Sequence, residues 1–252
     1  MTSDFDLDPT DTPKRIHRRG GDAYAPELGV PPAGRGGHGG GGEPNASEAS
    51  ENGELKTGTT TVGIRTDDGV VLATDMRASA GNLVASKQAQ KVLEVHPTAA
   101  LTISGGVSAA QSLVRSLQAE TRLYEARRDE EMSMQALSAL TGNLLRSGAF
   151  FIVHPLLGGV DSEGGHLYNI FPDGSVMEEE YFATGSGSPF ALGVLEGAYD
   201  GEMSVEEARD AAAQAVNSAI ERDTASGNGM LLSVITEDGV ETEQFEHPTE
   251  AL

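Results

Sequence analysis

The sequence predicts an α+β fold in which two antiparallel β-sheets lie between layers of helices. β-rich runs are joined by short turns that contain Asp and Gly. Helical patterns occur as consecutive pairs, and this order of strands followed by two helices occurs twice after residue 59. Strands joined by hairpins form antiparallel sheets, whereas consecutive helices form a layer that covers an apolar sheet face. Two sheets covered by helices satisfy both patterns.

The first strands are predicted at 60–66 and 70–75, because Asp67-Asp68-Gly69 between them is a hairpin signal. Residues 90–95 form a half-apolar strand pattern. A further strand is predicted at 99–104, where the apolar run ends in Gly105-Gly106. The first half of the domain is therefore expected to supply one hairpin and additional strands.

Two helices should follow these strands. Apolar residues with helical spacing form one stripe: Ala110, Leu113, Val114, Leu117 and Tyr124. Ser133 is a candidate N-cap for a second helix that extends to about Arg146.

The second half repeats the order. Strands are predicted at 156–160 and 166–171, and Asp173-Gly174 turns the chain into a run that ends near Thr184. A helix should begin around Ser188 and Pro189, since proline suits the first turn.

The last helix and strands have clear boundaries in the sequence. Ser204 and Glu207 form a capping box for an Ala-rich helix to about Asp223. Strands at 231–236 and 240–245 flank Asp238-Gly239.

Residues 1–58 differ from the rest of the chain. They contain Gly39-Gly40-Gly41-Gly42, scattered prolines and little apolar periodicity, so burial cannot offset their ordering entropy. We predict a disordered leader before one domain at 59–252. Arg18-Arg19 superficially matches a twin-arginine export motif, but no apolar segment follows it. The longest apolar stretches contain Pro155 or Pro189, so we expect no membrane span and a cytoplasmic location.

Composition excludes several classes of function. The formal net charge is -22 and the pI is about 4.5, which argues against nucleic acid and anionic membranes as partners. Such acidity favours a protein kept soluble in concentrated salt, with a surface for basic clients as the alternative. The chain has no cysteine, which excludes disulfides, thiolate zinc sites and cysteine nucleophiles. We expect no cofactor and no metal ion.

The Gly58-Thr59 bond marks the border between leader and domain and is a candidate processing site. Cleavage there would give Thr59 a hydroxyl nucleophile and its own amine as base. The predicted hairpin register places Asp75 and Arg77 near Thr59. Lys91 lies in a half-apolar strand pattern, where it is either buried and paired with Asp75 or exposed on a strand face.

Four segments carry a specific resemblance to a known family. They are Thr-Gly-Thr-Thr-Thr-Val-Gly-Ile at 57–64, Ala-Thr-Asp-Met-Arg at 73–77, Gly-Ser-Gly-Ser-Pro-Phe at 185–190 and Arg-Asp-Thr-Ala-Ser-Gly at 222–227. In this order they resemble the proteasome core-particle β subunit of the archaeal type. The likeness extends from Thr59 to about Phe245. A bacterial two-ring relative has a similar start, but the segment at 222–227 favours the archaeal type.

This resemblance implies the four-layer αββα fold of N-terminal nucleophile hydrolases and a threonine protease that removes its own leader at Gly58-Thr59. The catalytic positions of the family fall on Thr59, Asp75, Lys91, Gly105, Ser186, Asp223 and Ser226. Thr59 is then the nucleophile and Gly105 N–H the oxyanion donor. The first specificity pocket falls on Ala78, Ala89, Ile103 and Val107. These residues are apolar, which predicts cleavage after large hydrophobic residues. The alternative is that they merely complete the core, and the two interpretations are compatible.

The resemblance also implies partners. Proteasome β subunits form stacked seven-membered rings flanked by rings of α subunits, and an ATPase delivers unfolded polypeptides to them. A non-catalytic structural β subunit is the main alternative, and it predicts a retained leader or a lost nucleophile. An acidic binding or chaperone module is a further alternative, but it would not require Gly58-Thr59 or Lys91.

Overall fold

The computed structural model describes residues 58–80, 82–150 and 153–252. The predicted leader therefore lies outside the described residues, apart from Gly58. The described strands are β1 Thr60–Arg65, β2 Val70–Asp75, β3 Ala78–Ala80, β4 Leu83–Ser86, β5 Val92–His96, β6 Ala99–Thr102, β7 Leu156–Asp161, β8 Gly164–Ile170, β9 Val176–Glu178, β10 Tyr181–Gly185, β11 Met230–Thr236 and β12 Gly239–Phe245. The α-helices are α1 Val107–Arg128, α2 Met134–Leu144, α3 Ser188–Ala198 and α4 Val205–Arg222.

Two five-stranded antiparallel sheets carry the fold. The first has the order β10-β1-β2-β11-β12 and the second has the order β5-β6-β7-β8-β9. The short strands β3 and β4 pair separately as a hairpin. Hairpins at the predicted Asp/Gly turns join β1 to β2 and β11 to β12, with Thr61 opposite Thr74 in the former.

Alternating side chains of β2 show how the layers are stacked. Val71 and Ala73 pack in a cluster with residues of α3 and α4. Val70 and Leu72 point the other way, into a cluster with residues of the second sheet such as Leu156. A third cluster joins the other face of the second sheet to α1 and α2. The predicted αββα sandwich is confirmed, and β2 is buried along its length because both of its faces are covered.

The ends of the helices follow from their capping residues. Ser204 Oγ accepts a hydrogen bond from Glu207 N, and Glu207 Oε2 accepts one from Ser204 N, which is the predicted capping box of α4. Ser133 caps α2 as predicted. Regular α2 ends at Leu144, two residues before the predicted end. A wider π-helical turn follows at Leu145–Ala149 and includes Gly148 at φ 82°.

The β3–β4 hairpin is not predicted by the sequence pattern. The residues of β4 are all exposed, including Leu83 at 74%, so they lack the alternation that identifies a half-buried strand. Among the helices that the structure describes, none is long and apolar enough to cross a membrane.

Candidate active site

Thr59 lies immediately before β1, which is flanked by β2 and β10 in the first sheet. Its side chain is buried, with 4% of the residue exposed. In the full chain its nitrogen is the peptide nitrogen bonded to Gly58. Gly185 allows β10 to come close, because a Cβ there would lie 2.1 Å from the carbonyl oxygen of Thr59. Its φ of 93° also favours glycine.

Asp75 ends β2 and is fully buried. Its Oδ1 accepts hydrogen bonds from Thr59 Oγ1 at 3.0 Å, from the Thr60 N–H at 2.9 Å and from Lys91 Nζ at 2.6 Å. Its Oδ2 accepts from the N–H groups of Arg77 and Gly227 at 3.0 and 2.9 Å. Five donors therefore surround one buried carboxylate, which satisfies its hydrogen-bonding capacity inside the protein.

Lys91 precedes β5 and is also buried. Its Nζ lies 2.5 Å from Thr59 Oγ1 and 2.6 Å from Asp75 Oδ1. Burial lowers the pKa of Lys91 below the ordinary value of 10.5, although the charge and the hydrogen bond of Asp75 act in the opposite direction. Of the two interpretations of the sequence, the buried, paired lysine is the one observed.

A second group of side chains surrounds the Thr59 nitrogen. The Thr59 N–H donates to Ser186 Oγ at 3.2 Å, and Ser186 Oγ donates to Asp223 Oδ2 at 2.6 Å. Ser226 Oγ donates to the same carboxylate oxygen at 2.7 Å and lies 2.7 Å from Thr60 Oγ1. This network links the nitrogen of the predicted nucleophile to a carboxylate at the end of α4.

The other predicted site residues are Gly105 and the four apolar residues of the predicted specificity pocket. Gly105 lies between β6 and α1, has a φ of 114° and forms a bridge with Val153. Ala78 begins β3, and the N–H of Ala89 donates to Met76 O. Ile103 is buried in the cluster that joins the second sheet to α1, whereas Val107 is 42% exposed at the start of that helix. Ile103 therefore contributes to the core, and the assignment of these four residues to a specificity pocket stays a prediction.

The structure adds contacts between the loop after α4 and the site, which the sequence pattern does not predict. The loop after α4 reaches Asp75 through the Gly227 N–H. Arg77 holds that loop, because its Nε donates to Asn228 Oδ1 at 2.9 Å and its Nη1 donates to Thr224 O at 2.8 Å. Asn228 has a φ of 64° between two glycines of positive φ. The Gly-Asn-Gly sequence is a signal for such a conformation, but it does not reveal the contact with Asp75.

This arrangement suits a hydroxyl nucleophile. A buried ammonium and a buried carboxylate contact one threonine hydroxyl, and a third polar group contacts the nitrogen of the same residue. An ammonium beside a hydroxyl favours the ionised oxygen, and a nitrogen freed by cleavage could serve as base. The αββα sandwich that carries this site is the fold of the N-terminal nucleophile hydrolases.

Comparison with known proteins narrows the class to a family. A family model described as "Proteasome subunit" matches residues 55–235. Relatives described as "Proteasome subunit beta" include one from Haloquadratum walsbyi, 55% identical over 249 residues and 98% of each chain. One from Haloferax volcanii is 63% identical over 194 residues, 77% of this chain and 80% of the relative. One from Halorhabdus utahensis is 47% identical over 253 residues, with both chains fully covered. This chain belongs to the proteasome subunit family, as its sequence motifs predict.

Proposed function

We propose that this chain is the catalytic β subunit of a proteasome core particle and acts as a threonine endopeptidase. One observation carries the proposal: the Thr59 hydroxyl contacts both Lys91 and Asp75 and directly follows a glycine. Membership of the proteasome subunit family and the β subunits among its relatives support it.

The first reaction is removal of the leader. Thr59 Oγ attacks the carbonyl carbon of Gly58, the peptide C–N bond breaks, and an ester forms while the nitrogen takes up the proton. Water then hydrolyses the ester, which releases Gly58 as a carboxylate and Thr59 with a free amine. Before this step the Thr59 nitrogen is an amide and cannot act as a base. The full chain is therefore an inactive precursor.

The second reaction is hydrolysis of a substrate peptide bond. The freed α-amine, with a model-compound pKa of about 7.7 to 8.0, takes the proton of the hydroxyl directly or through water. The Lys91 ammonium favours the ionised hydroxyl, and Asp75 keeps that ammonium charged and oriented. Thr59 Oγ attacks the substrate carbonyl carbon, and the Gly105 N–H donates to the resulting oxyanion, a contribution worth roughly 10² to 10³ in rate. The peptide C–N bond then breaks, and the leaving amine takes the proton from the α-ammonium of Thr59. Water then hydrolyses the acyl ester and regenerates the free hydroxyl.

Substrates and partners follow from the same proposal. The apolar positions Ala78, Ala89, Ile103 and Val107 favour cleavage after large hydrophobic residues. The subunit assembles with α subunits and further β subunits into four stacked heptameric rings in the cytoplasm. Such a barrel admits unfolded polypeptides, which an ATPase regulatory particle delivers.

The test is the intact mass of the subunit in particles purified from a high-salt host. We expect wild-type chains to begin at Thr59 and Thr59→Ala chains to keep the leader. Thr66→Ala is the matched control, because it removes a buried hydroxyl just beyond the other end of β1, and it should be processed normally. Wild-type chains that keep their leader in assembled particles would contradict the proposal and favour a structural β subunit. Peptide substrates ending in large apolar, basic or acidic residues then define the specificity.

A further inference from the structure

Gly58, the residue before the predicted cleavage site, is held from two sides. Its N–H donates to Ser79 Oγ at 3.1 Å. On the other side, a Cβ built on Gly58 would lie 1.9 Å from the Cβ of Ala225 and 3.2 Å from its Cα, with Ser186 Oγ at 3.1 Å. A non-bonded carbon pair cannot approach to 1.9 Å, since optimal carbon separations are about 3.5 to 4.0 Å. Any side chain at position 58 thus collides with Ala225.

The Ala225 methyl group cannot rotate out of the way, so only movement of its loop would relieve the collision. That loop is fixed at several points. The Ala225 N–H donates to Asp223 Oδ1 at 3.2 Å, and Thr224 O accepts from Arg77. The Gly227 N–H donates to Asp75. A displacement of Ala225 would therefore disturb the carboxylates that hold both Thr59 and its nitrogen.

Ser79 fixes Gly58 from the opposite side. It lies in β3, pairs with Val84 of β4 and is buried, with 6% of the residue exposed. Its hydroxyl oxygen accepts the Gly58 N–H, so it fixes the peptide plane one residue before the bond that Thr59 attacks. Fixing the neighbouring peptide group limits the orientations of the attacked Gly58 carbonyl, which lowers the entropic part of a reaction barrier.

We propose that Ala225 and Ser79 together form a seat for Gly58 during self-cleavage. Ala225 excludes every side chain from position 58, and Ser79 orients the glycine that fits. Both are positioning residues, and neither takes part in bond making. This inference rests on the proposed self-cleavage at Gly58-Thr59, and it assigns the requirement for glycine to a specific contact.

A second-site suppressor test shows whether the contact with Ala225 is the reason that position 58 requires glycine. Gly58→Ala should slow leader removal by about tenfold or more, because it overpacks a closed contact. Adding Ala225→Gly to that variant removes the opposing methyl group and should restore processing to within about threefold of the wild type. Ala225→Gly alone is the reference for the double variant, because both chains carry the same change in the loop. Leader removal is followed by intact mass at fixed times after assembly.

Ser79 is tested by a conservative pair. Ser79→Ala should slow leader removal, whereas Ser79→Thr retains a hydroxyl and should restore it. Size-exclusion chromatography of each variant reports assembly independently of processing.

Each outcome is decisive. If wild-type chains shed the leader but the double variant is as slow as Gly58→Ala, the seat is wrong while self-cleavage stands. Wild-type processing of Gly58→Ala alone, or Ser79→Thr remaining as slow as Ser79→Ala, also overturns it. If wild-type chains keep the leader, the proposed function itself fails, and this inference fails with it.

Discussion

Two carboxylate clusters of this molecule have similar partners but very different surroundings. In the site, the side chains of Asp75 and Lys91 are 0% and 6% exposed. At the β7–β8 hairpin, Asp161 and His166 are 16% and 13% exposed, and Glu178 beside them is 46% exposed. Both aspartates also accept backbone N–H groups. This difference in burial distinguishes Asp75, whose proposed role is chemical, from Asp161, whose role is structural.

Asp161, His166 and Glu178 connect the β7–β8 hairpin to the start of α2, and we call this cluster the clip. Asp161 Oδ2 accepts the Met134 N–H at the start of α2 at 2.7 Å, and its Oδ1 accepts the Glu163 N–H at 2.9 Å. His166 lies 3.2 Å from Asp161 and 2.9 Å from Glu178. These contacts tie a hairpin to a helix, and solvent moderates their strength. In the site, by contrast, burial places two charges against a hydroxyl where solvent screens them little.

The largest effect should come from removing the buried ammonium. Lys91→Met keeps most of the side-chain volume and leaves Asp75 with its backbone donors, so the fold should survive. Peptide hydrolysis should fall by at least about 10³-fold, because in the proposed mechanism Lys91 is the cation that activates the hydroxyl. The measurement is kcat/KM on a fluorogenic peptide with an apolar residue before the scissile bond.

Lys87→Met is the matched control, since Lys87 is exposed, and it should change kcat/KM by no more than about twofold. Turnover by Lys91→Met at the level of this control would show that the buried pair is not needed for the reaction.

The next effect is a pH limit on activity. Because burial lowers the pKa of Lys91, the lysine loses its proton at a lower pH than a free lysine does. Turnover should therefore begin to fall at a pH below 10.5. The check is kcat/KM against pH at constant molar salt. A profile that stays flat up to 10.5 would mean that the charge of Lys91 is not required.

A smaller effect on stability, with little change in turnover, is expected at the clip. Asp161→Ala removes the acceptor for two backbone N–H groups and should lower the free energy of unfolding by about 1 to 2 kcal/mol. Chemical denaturation in molar salt measures this difference. Asp238→Ala, at an exposed turn, is the control and should change little. A large loss of turnover in Asp161→Ala would contradict the purely structural role.

The Asp161 effect should also depend on pH. Burial alone would raise the pKa of Asp161, but the N–H groups of Met134 and Glu163 together with His166 lower it below the ordinary 3.8. A depressed folded-state pKa stabilises the protein above the unfolded value. The stability difference between wild type and Asp161→Ala should therefore be complete well above pH 3.8 and shrink as the pH falls through the lower folded-state pKa.

The smallest effect should come from Glu178, the exposed end of the clip. Glu178→Gln removes a charge next to His166 and should alter the free energy of unfolding by about 0.5 kcal/mol or less, as exposed pairs do. Glu180→Gln, on the same exposed segment, is the control. A loss of more than about 1 kcal/mol in the free energy of unfolding relative to that control would show that Glu178 stabilises the protein more than an exposed ion pair does.

Local signals account for most of what the sequence predicts. The Asp67-Asp68-Gly69 turn fixes the β1–β2 register, and that register brings Asp75 to Thr59. Ser204 and Glu207 define the start of α4 because both partners lie within one helical turn. Lys91 lies 32 residues from Thr59, and the local sequence pattern does not decide whether its side chain is buried or exposed.

Contacts between distant parts of the chain could not be predicted in this way. Gly227 is 152 residues from Asp75, and no periodicity near either residue records their hydrogen bond. Ser79 lies in a short hairpin without a strand pattern, and its contact with Gly58 depends on how that hairpin folds back. The sequence therefore identifies candidate chemical groups, but only the folded structure shows which of them contact one another.

The burial of Asp75 and Lys91 has a consequence for how the protein tolerates a strongly acidic surface. The chain carries 39 acidic against 17 basic residues, Lys and Arg together, and dissolved ions at molar concentration screen exposed charges that lie more than about 3 Å apart. Those ions moderate repulsion between surface carboxylates but do not enter the buried pair. A strongly acidic surface in concentrated salt is therefore compatible with a buried ion pair whose own attraction the salt leaves almost unscreened.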